Sequence, residues 1–190
     1  MKTVPVGVSN RHVHLSQEHI QVLFGEGYNL TQAKMLAQPG QFASGEFVNL
    51  VGSKGTIEGV RVLGPARKDT QVELAVTDSY KLGLKPPVRD SGDLKGSPGL
   101  TITGPCGAVT LAEGAIIAAR HIHMHSADAE GLSLKNGDRA KVQVNGPRGG
   151  VFDEVLIRVS DSFVTEMHID TDEANAFGLA NGQLVGIILK

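Results

Sequence analysis

Short apolar segments separated by turn residues run through most of the chain. Those rich in valine and isoleucine predict strands over residues 3–8, 47–51, 56–63, 71–76, 100–103, 108–111, 140–144, 151–159 and 184–189. Helical patterns are few and short: residues 16–24, with Ser16 as the cap, residues 31–37, and a weaker pattern that begins at Thr171. The pattern therefore predicts a mainly β protein with closed barrels, on whose ends the short helices lie as caps.

Parts of the chain resemble each other. The segment Arg11-His12-Val13-His14 recurs as Arg120-His121-Ile122-His123, and Gly64-Pro65-Ala66-Arg67 is echoed by Gly146-Pro147-Arg148. Self-similarity of this kind indicates a duplicated architecture. It favours two related barrels over one irregular domain.

Residues 85–99 form a stretch of low hydrophobicity that contains Pro86, Pro87 and Pro98 among aspartate, serine and glycine. This composition predicts a long surface loop. The loop either covers a ligand or only connects strands, and the sequence leaves both interpretations open.

Composition narrows the class of protein. The 190 residues carry 18 Lys+Arg against 20 Asp+Glu, a formal net charge of −2, which argues against a general nucleic-acid binder. The length allows one large domain or two small ones, and nothing in the composition indicates a membrane span or a membrane partner. The single cysteine, Cys106, cannot form an internal disulfide, and no secretory signal opens the chain, so we expect a cytoplasmic protein.

Histidines carry the chemical signal of the sequence. Six of the seven fall into three groups, which are His12 with His14, then His121, His123 and His125, and then His168. In a strand, residues two apart project from one face, so each group of neighbours shares a face. Imidazoles placed in this way favour a metal site, with zinc first and cobalt, nickel or iron as alternatives. The number of histidines leaves open two metals or one metal with spare hydrogen-bonding histidines.

Charged residues near the histidines extend this hypothesis. Glu73 lies among apolar residues, where it is either a carboxylate ligand, a partner of Arg67 or an edge residue that faces solvent. Arg67, in the Gly-Pro-x-Arg turn, is either an anion-binding group or a structural one. Arg11 and Arg120 flank the histidine strands and are expected to fix loops by salt bridges.

Several common catalytic motifs are missing from the sequence. It contains no P-loop, no dinucleotide-binding glycine fingerprint, no His-Glu-x-x-His segment and no Gly-x-Ser-x-Gly elbow. Cys106, between Pro105 and Gly107, is better explained as a turn residue than as a nucleophile.

These residues together resemble the PduL-type phosphate acyltransferases, a family of phosphotransacylases that includes phosphate propanoyltransferases. The match spans nearly the whole chain, and no position departs from the family's pattern at the metal ligands. The segments that carry the resemblance are Ser9-Asn10-Arg11-His12-Val13-His14-Leu15-Ser16, Gly64-Pro65-Ala66-Arg67, Glu73, Gly104-Pro105, Arg120-His121-Ile122-His123-Met124-His125 and Glu166-Met167-His168-Ile169-Asp170-Thr171-Asp172-Glu173-Ala174-Asn175.

The resemblance implies a fold of two β-barrels capped by short helices. Residues 1–10 would join residues 119–190 in one barrel, which the N-terminal strand completes, and residues 11–118 would form the other. It also implies an active site between the barrels with two zinc ions. The implied ligands are His12, His14, Glu73, His121, His123 and His168, with His125 as a weaker ligand or a residue beside the ligands.

The implied reaction is the reversible conversion of acyl-CoA and phosphate to acyl phosphate and CoA, with acetyl or propionyl as the acyl group. Arg67 would hold the phosphate for direct attack on the thioester, without an acyl-enzyme. The implied coenzyme A residues are Ser9, Lys34, Arg61, Leu63 and Asn175. The resemblance also implies a role in propanediol degradation or acetate metabolism.

The sequence also gives expectations for the cellular location and the oligomeric state. Relatives housed in bacterial microcompartments carry an amphipathic N-terminal helix, whereas Met1-Lys2-Thr3-Val4-Pro5 leads directly into a strand here. We therefore expect free cytoplasm, with the microcompartment lumen as the alternative if a signal has been removed. A homodimer is expected because it is the commonest soluble oligomer.

Two other classes of function use the same histidines. A metal-dependent hydrolase would activate water and would not need phosphate. A non-catalytic barrel module stabilised by zinc would close its site with four ligands and would unfold on chelation.

Overall fold

The computed structural model describes residues 2–189 and is mainly β. Its strands, in chain order, are β1 (Lys2–Ser9), β2 (His12–Ser16), β3 (Gln32–Met35), β4 (Phe42–Val51), β5 (Thr56–Arg67), β6 (Gln71–Glu73), β7 (Val88–Arg89), β8 (Thr101–Thr103), β9 (Ala108–Thr110), β10 (Ala115–Ala118), β11 (His121–Met124), β12 (Arg139–Val144), β13 (Gly150–Val159), β14 (Glu166–Asp170) and β15 (Leu184–Ile188). Its helices are α1 (Gln17–Phe24), α2 (Val76–Leu82), α3 (Ser126–Gly131) and α4 (Thr171–Phe177).

The chain divides into two compact units, each with its own core. The barrel unit comprises residues 2–10, Ala37–Pro39 and residues 119–189. The sheet unit comprises Arg11–Leu36 and Gly40–Ala118.

The barrel unit is a closed six-stranded barrel with the strand order β1-β14-β11-β13-β12-β15. The N-terminal strand β1 pairs in parallel with β14 and antiparallel with β15, so it completes the barrel as predicted. Alternate residues of these strands fill the interior, where Val6, Ile122 and Met167 are fully buried.

The sheet unit is a nine-stranded sheet. Eight of its strands follow the order β7-β10-β6-β2-β5-β4-β8-β9, and the ninth, β3, pairs with β4. The sheet curls as a half-barrel. Its apolar face packs around Val13, Val62 and Val72, which are fully buried. The prediction of a mainly β fold with short helices is confirmed, and its two barrels are a closed barrel in one unit and a curled half-barrel in the other.

The predicted helix over residues 31–37 was wrong. The segment forms β3, in which Lys34 pairs with Ala43 of β4 in an antiparallel ladder. All four residues of β3 are exposed, so the segment buries no apolar face of its own. Pairing with the neighbouring strand therefore determines the structure.

The predicted strand over residues 71–76 is shorter than expected. It ends at Glu73, and α2 follows from Val76. Asp78 Oδ2 accepts a hydrogen bond from the backbone N–H of Ala75 at 3.1 Å, which satisfies a free donor at the start of the helix. Among residues 2–189, no helix is long and apolar enough to cross a membrane.

Candidate metal centres

In the sheet unit, β2 places two histidines on the polar face of the sheet. Val13 points into the core, so His12 and His14 project from the opposite side. Glu73 lies opposite His12 in the antiparallel pairing of β2 with β6. Its Oε2 atom is 3.4 Å from His12 Nε2 and its Oε1 atom is 3.9 Å from His14 Nε2. One ligand atom from each of the three residues lies within 4.8 Å of the others.

In the barrel unit, β11 presents a second group of histidines on the outside of the barrel. Ile122 fills the interior, so His121 and His123 project outward. His168 lies opposite His121 in the antiparallel pairing of β11 with β14. The three imidazoles again offer ligand atoms within 4.8 Å of one another. We call these groups the sheet trio (His12, His14, Glu73) and the barrel trio (His121, His123, His168).

The two trios have the same construction. In each, a His-x-His strand lies between a parallel neighbour and an antiparallel neighbour, and the antiparallel neighbour supplies the third residue. The third residue faces the first histidine in both cases, as Glu73 faces His12 and His168 faces His121. The sequence repeat is therefore a structural repeat.

The arginine before each His-x-His pair belongs to the same repeat. Arg11 Nε donates to Asp78 Oδ1 at 2.7 Å, and Arg120 Nη1 donates to Glu173 Oε1 at 2.8 Å. Each acid is in the first turn of the helix that follows the strand of the third residue, α2 or α4. The expectation that Arg11 and Arg120 form salt bridges is confirmed.

The residues present fit a metal ion in each trio. His123 Nδ1 is buried and has no hydrogen-bond partner among residues 2–189. Buried polar atoms are costly unless a hydrogen-bond donor, an acceptor or an ion satisfies them. Three imidazole nitrogens, as in the barrel trio, and two imidazole nitrogens with a carboxylate oxygen, as in the sheet trio, are both donor sets typical of zinc.

Electrostatics keep these histidines in the neutral form that binds metal. Burial, followed by His12 and Arg67, lowers the pKa of His14 to about 3. Burial, followed by His121 and His168, lowers the pKa of His123 to about 3. A neutral imidazole has a lone pair to offer as a ligand.

Glu73 is held as a carboxylate. Burial opposes its ionisation, but His12, His14 and Arg67 outweigh that effect and hold its pKa well below the usual range. A carboxylate that stays ionised can bind a metal without first losing a proton.

Arg67, which ends β5, belongs to the surroundings of the sheet trio. Its electrostatic effect acts on both His14 and Glu73. Its Nη1 atom donates to the hydroxyl of Ser91 at 3.3 Å. The guanidinium is half-buried, so it remains accessible to an anion from solvent.

Two of the five residues expected to bind coenzyme A share the polar face of the sheet trio. In the parallel pairing of β2 with β5, Arg61 lies beside His12 and Leu63 lies beside His14. The Arg61 guanidinium stacks on the ring of Phe47 at 4.3 Å. Lys34 lies on β3, where it is exposed and pairs with Ala43.

The other two lie in the barrel unit. Ser9 pairs with Asp170 where β1 meets β14, and Asn175 is exposed on α4.

His125 departs from the predicted strand. β11 ends at Met124, and His125 is the N-cap of α3, where its Nδ1 atom accepts a hydrogen bond from the N–H of Ala127 at 3.2 Å. The expectation that His125 continues the face of His121 and His123 was wrong, because the helix begins at that point. Among the described residues, the groups with ligand atoms close together do not include His125.

Sequence reasoning missed residues that contact the trios. In the barrel unit, Glu166 Oε2 lies 2.8 Å from His168 Nε2, and Arg158 pairs with His123 in the parallel register of β11 and β13. In the sheet unit, Gln71 and Ser91 bind Glu73. Glu166 and Gln71 each stand two residues before a predicted ligand on the same strand, a spacing that could have revealed them. Ser91 lies in a loop and has no such signal.

Comparison with known proteins gives one consistent result. The family model described as phosphate propanoyltransferase matches residues 5–180. A phosphate propanoyltransferase of Thermotoga maritima is 59% identical over 184 residues, which cover 96% of this chain and 88% of that protein. One of Rhodobacter capsulatus is 57% identical, with coverage of 97% and 86%. One of Rhodopseudomonas palustris is 54% identical, with coverage of 98% and 83%.

Proposed function

The chain belongs to the phosphate propanoyltransferase family, a family of acyltransferases, and from that premise we propose that it transfers a short acyl group reversibly between coenzyme A and inorganic phosphate. Acetyl and propionyl are the acyl groups we propose. The observation that carries the proposal is the presence of two trios of the same construction, with the guanidinium of Arg67 beside the sheet trio.

We propose that each trio holds one zinc ion, through His12, His14 and Glu73 in the sheet unit and through His121, His123 and His168 in the barrel unit. Bound zinc ions would supply positive charge that lowers the energy of a bound phosphate and of the negative charge that develops on the thioester oxygen. The close grouping of ligand atoms in each trio and the buried nitrogen of His123 support this assignment.

Arg67 is the residue that we propose for orienting phosphate. A guanidinium presents paired N–H donors that match two oxygens of a phosphate. Phosphate dianion is a weak nucleophile. An arrangement that fixes one oxygen toward the thioester carbonyl reduces the number of orientations that the phosphate must sample before it attacks. The oxygen forms the new bond to the acyl carbon, and the CoA sulfur leaves with the electron pair of the broken C–S bond.

Residues for coenzyme A are proposed on the same basis. Lys34 and Arg61 would pair with its phosphates, while Leu63 would contact apolar parts of the cofactor. Arg61 and Leu63 share a sheet face with the sheet trio, which supports their assignment. Ser9 and Asn175 complete the proposed set.

The test is direct detection of the acyl phosphate. Zinc-loaded protein is incubated with propionyl-CoA or acetyl-CoA and phosphate, and hydroxylamine traps acyl phosphate as the hydroxamate. We expect phosphate to raise hydroxamate formation well above the background that hydroxylamine gives with the thioester in the absence of enzyme. We also expect the reverse reaction to form thioester from acyl phosphate and CoA. Free carboxylate formed without phosphate would instead identify a hydrolase and overturn the proposal.

A further inference from the structure

Ser91 lies in the segment between β7 and β8, part of the loop whose role the sequence left open. Its hydroxyl contacts two groups that the proposed function uses. It donates to Glu73 Oε1 at 3.1 Å and accepts from Arg67 Nη1 at 3.3 Å. Ser91 therefore joins the residue proposed for phosphate to a residue proposed for the metal.

The bonding capacity of this hydroxyl is completely used. Besides the bonds to Glu73 and Arg67, it accepts a hydrogen bond from Gln71 Nε2 at 2.9 Å. A serine hydroxyl offers one donor and two acceptor positions. Because both acceptor positions are taken by N–H groups, its single proton is directed to Glu73.

Gln71 fixes the arrangement from the other side. Its Nε2 atom also donates to Glu73 Oε1, at 2.6 Å, and its Oε1 atom accepts from the N–H of Gly92 at 2.7 Å. The amide can therefore take only one orientation, since the backbone N–H of Gly92 requires an acceptor. Gln71 is 1% exposed, so water does not compete for these bonds.

The two carboxylate oxygens of Glu73 have different contacts. Oε1 accepts from both Gln71 and Ser91, whereas Oε2 is the oxygen closest to His12. Hydrogen bonds of this kind orient a metal-binding carboxylate, and their loss typically weakens metal binding or activity about 10- to 100-fold.

We propose that Ser91 is a positioning residue, which holds Glu73 in its metal-binding orientation and Arg67 in its phosphate-binding orientation through one hydroxyl. The inference rests on the proposed function for the roles of Glu73 and Arg67. It assigns the loop between β7 and β8 a part in the sheet trio, with Gln71 as the fixed support.

The experiment compares Ser91→Ala with Ser91→Thr, which restores a hydroxyl, and with Ser53→Ala as a matched control. Ser53 belongs to the same unit, and its exposed hydroxyl donates to Gly83. Metal-stripped proteins are titrated with zinc in competition with a chromophoric chelator. The KM for phosphate and kcat are then measured at saturating zinc.

We expect Ser91→Ala to weaken one of two zinc equivalents about tenfold and to leave the other unchanged. The KM for phosphate should rise about three- to tenfold, because Arg67 loses its hydrogen bond to Ser91. Ser91→Thr should recover most of both losses, and Ser53→Ala should match the wild type. The melting temperature of each variant should stay close to that of the wild type.

Gln71→Met provides a second variant that keeps a buried side chain of similar volume but cannot donate to Glu73. It should weaken the same zinc equivalent, which keeps the test decisive if Ser91→Ala folds poorly. Unchanged zinc affinity and phosphate KM in a folded Ser91→Ala variant would overturn the inference. So would a loss confined to kcat in Ser91→Ala, because that pattern indicates a hydroxyl that reacts rather than one that positions.

Failure of the inference and failure of the proposed function are distinguishable. If the wild type makes no acyl phosphate, the proposed function fails, and the zinc titration still decides whether Ser91 supports Glu73. If the wild type is active and Ser91→Ala binds zinc and phosphate like the wild type, only the inference fails.

Discussion

Gly7 on β1 lies directly against the carboxyl group of Glu166 on β14. A Cβ atom at position 7 would stand 3.0 Å from Glu166 Cδ and 3.1 Å from its Oε2 atom. That Oε2 atom is the one 2.8 Å from His168 Nε2. The absence of a side chain at Gly7 therefore gives Glu166 the space from which it contacts a residue of the barrel trio.

We predict that Gly7→Ala weakens zinc binding at the barrel trio about tenfold, because the methyl group displaces Glu166 from His168. Zinc titration of the metal-stripped protein measures the effect, with Gly131→Ala as the control, since a Cβ atom at Gly131 would meet nothing within 4 Å. In a Glu166→Ala background, Gly7→Ala should have no further effect. Additive losses in this double-mutant cycle would show that Gly7 acts by another route.

Replacement of Arg67 by alanine should impair phosphate use while the protein stays folded. The KM for phosphate should rise about 10- to 100-fold, the range expected for loss of hydrogen bonds to a charged ligand, and turnover should fall. Arg89→Ala is the matched control, because Arg89 is a half-buried arginine of the same unit that pairs with Asp93 at 2.8 Å. Phosphate kinetics like those of the wild type in Arg67→Ala would remove this residue from the site.

Chelation should silence the enzyme without unfolding it. Each unit has an apolar core of its own, built from residues such as Ile122 and Val62, and neither core includes a trio residue. We expect the far-ultraviolet circular dichroism spectrum to persist, the melting temperature to fall, and zinc to restore activity. Loss of the strand signal on chelation would instead indicate a module that zinc folds.

A pH dependence of stability follows from Glu46 in the sheet unit. Burial raises the pKa of Glu46, but hydrogen bonds from Thr31 and Tyr28 outweigh that effect, so its pKa is lowered from 4.5. A carboxyl whose pKa is lower in the folded protein stabilises it above the unfolded pKa, and this contribution is lost as the pH falls through the folded pKa.

Glu46→Gln should therefore lower the free energy of unfolding by about 1.5–3 kcal/mol at pH 7, the range for hydrogen bonds to a charged group. The difference from the wild type should shrink as the pH falls below 4.5. Urea unfolding across this pH range measures it, with the exposed Glu58→Gln as the control. A difference that stays constant down to acid pH would contradict the assignment.

The part of the site that could be predicted is the part set by strand periodicity. His12 and His14 share a face because Val13 between them is apolar and enters the core, and the same holds for His121 and His123 around Ile122. Periodicity also predicted four of the six barrel strands, β1, β12, β13 and β15, but not β11 or β14.

Strand register and loop contacts could not be predicted from single segments of the sequence. That Glu73 faces His12, and His168 faces His121, depends on how strands far apart in the chain align. The contact of Ser91 with Glu73 depends on the path of a loop. The exposed strand β3 was mistaken for a helix because its pairing with β4, rather than its own pattern, determines its conformation.

The most direct test of the central claim is the release of free CoA thiol from acetyl-CoA and propionyl-CoA, measured with and without phosphate. Each assay is run on zinc-loaded protein, after chelation, and after zinc is restored. We predict release that requires phosphate, disappears on chelation and returns with zinc. Release that proceeds without phosphate, or no release from folded, zinc-loaded protein, would contradict the assignment of this chain as a phosphate acyltransferase.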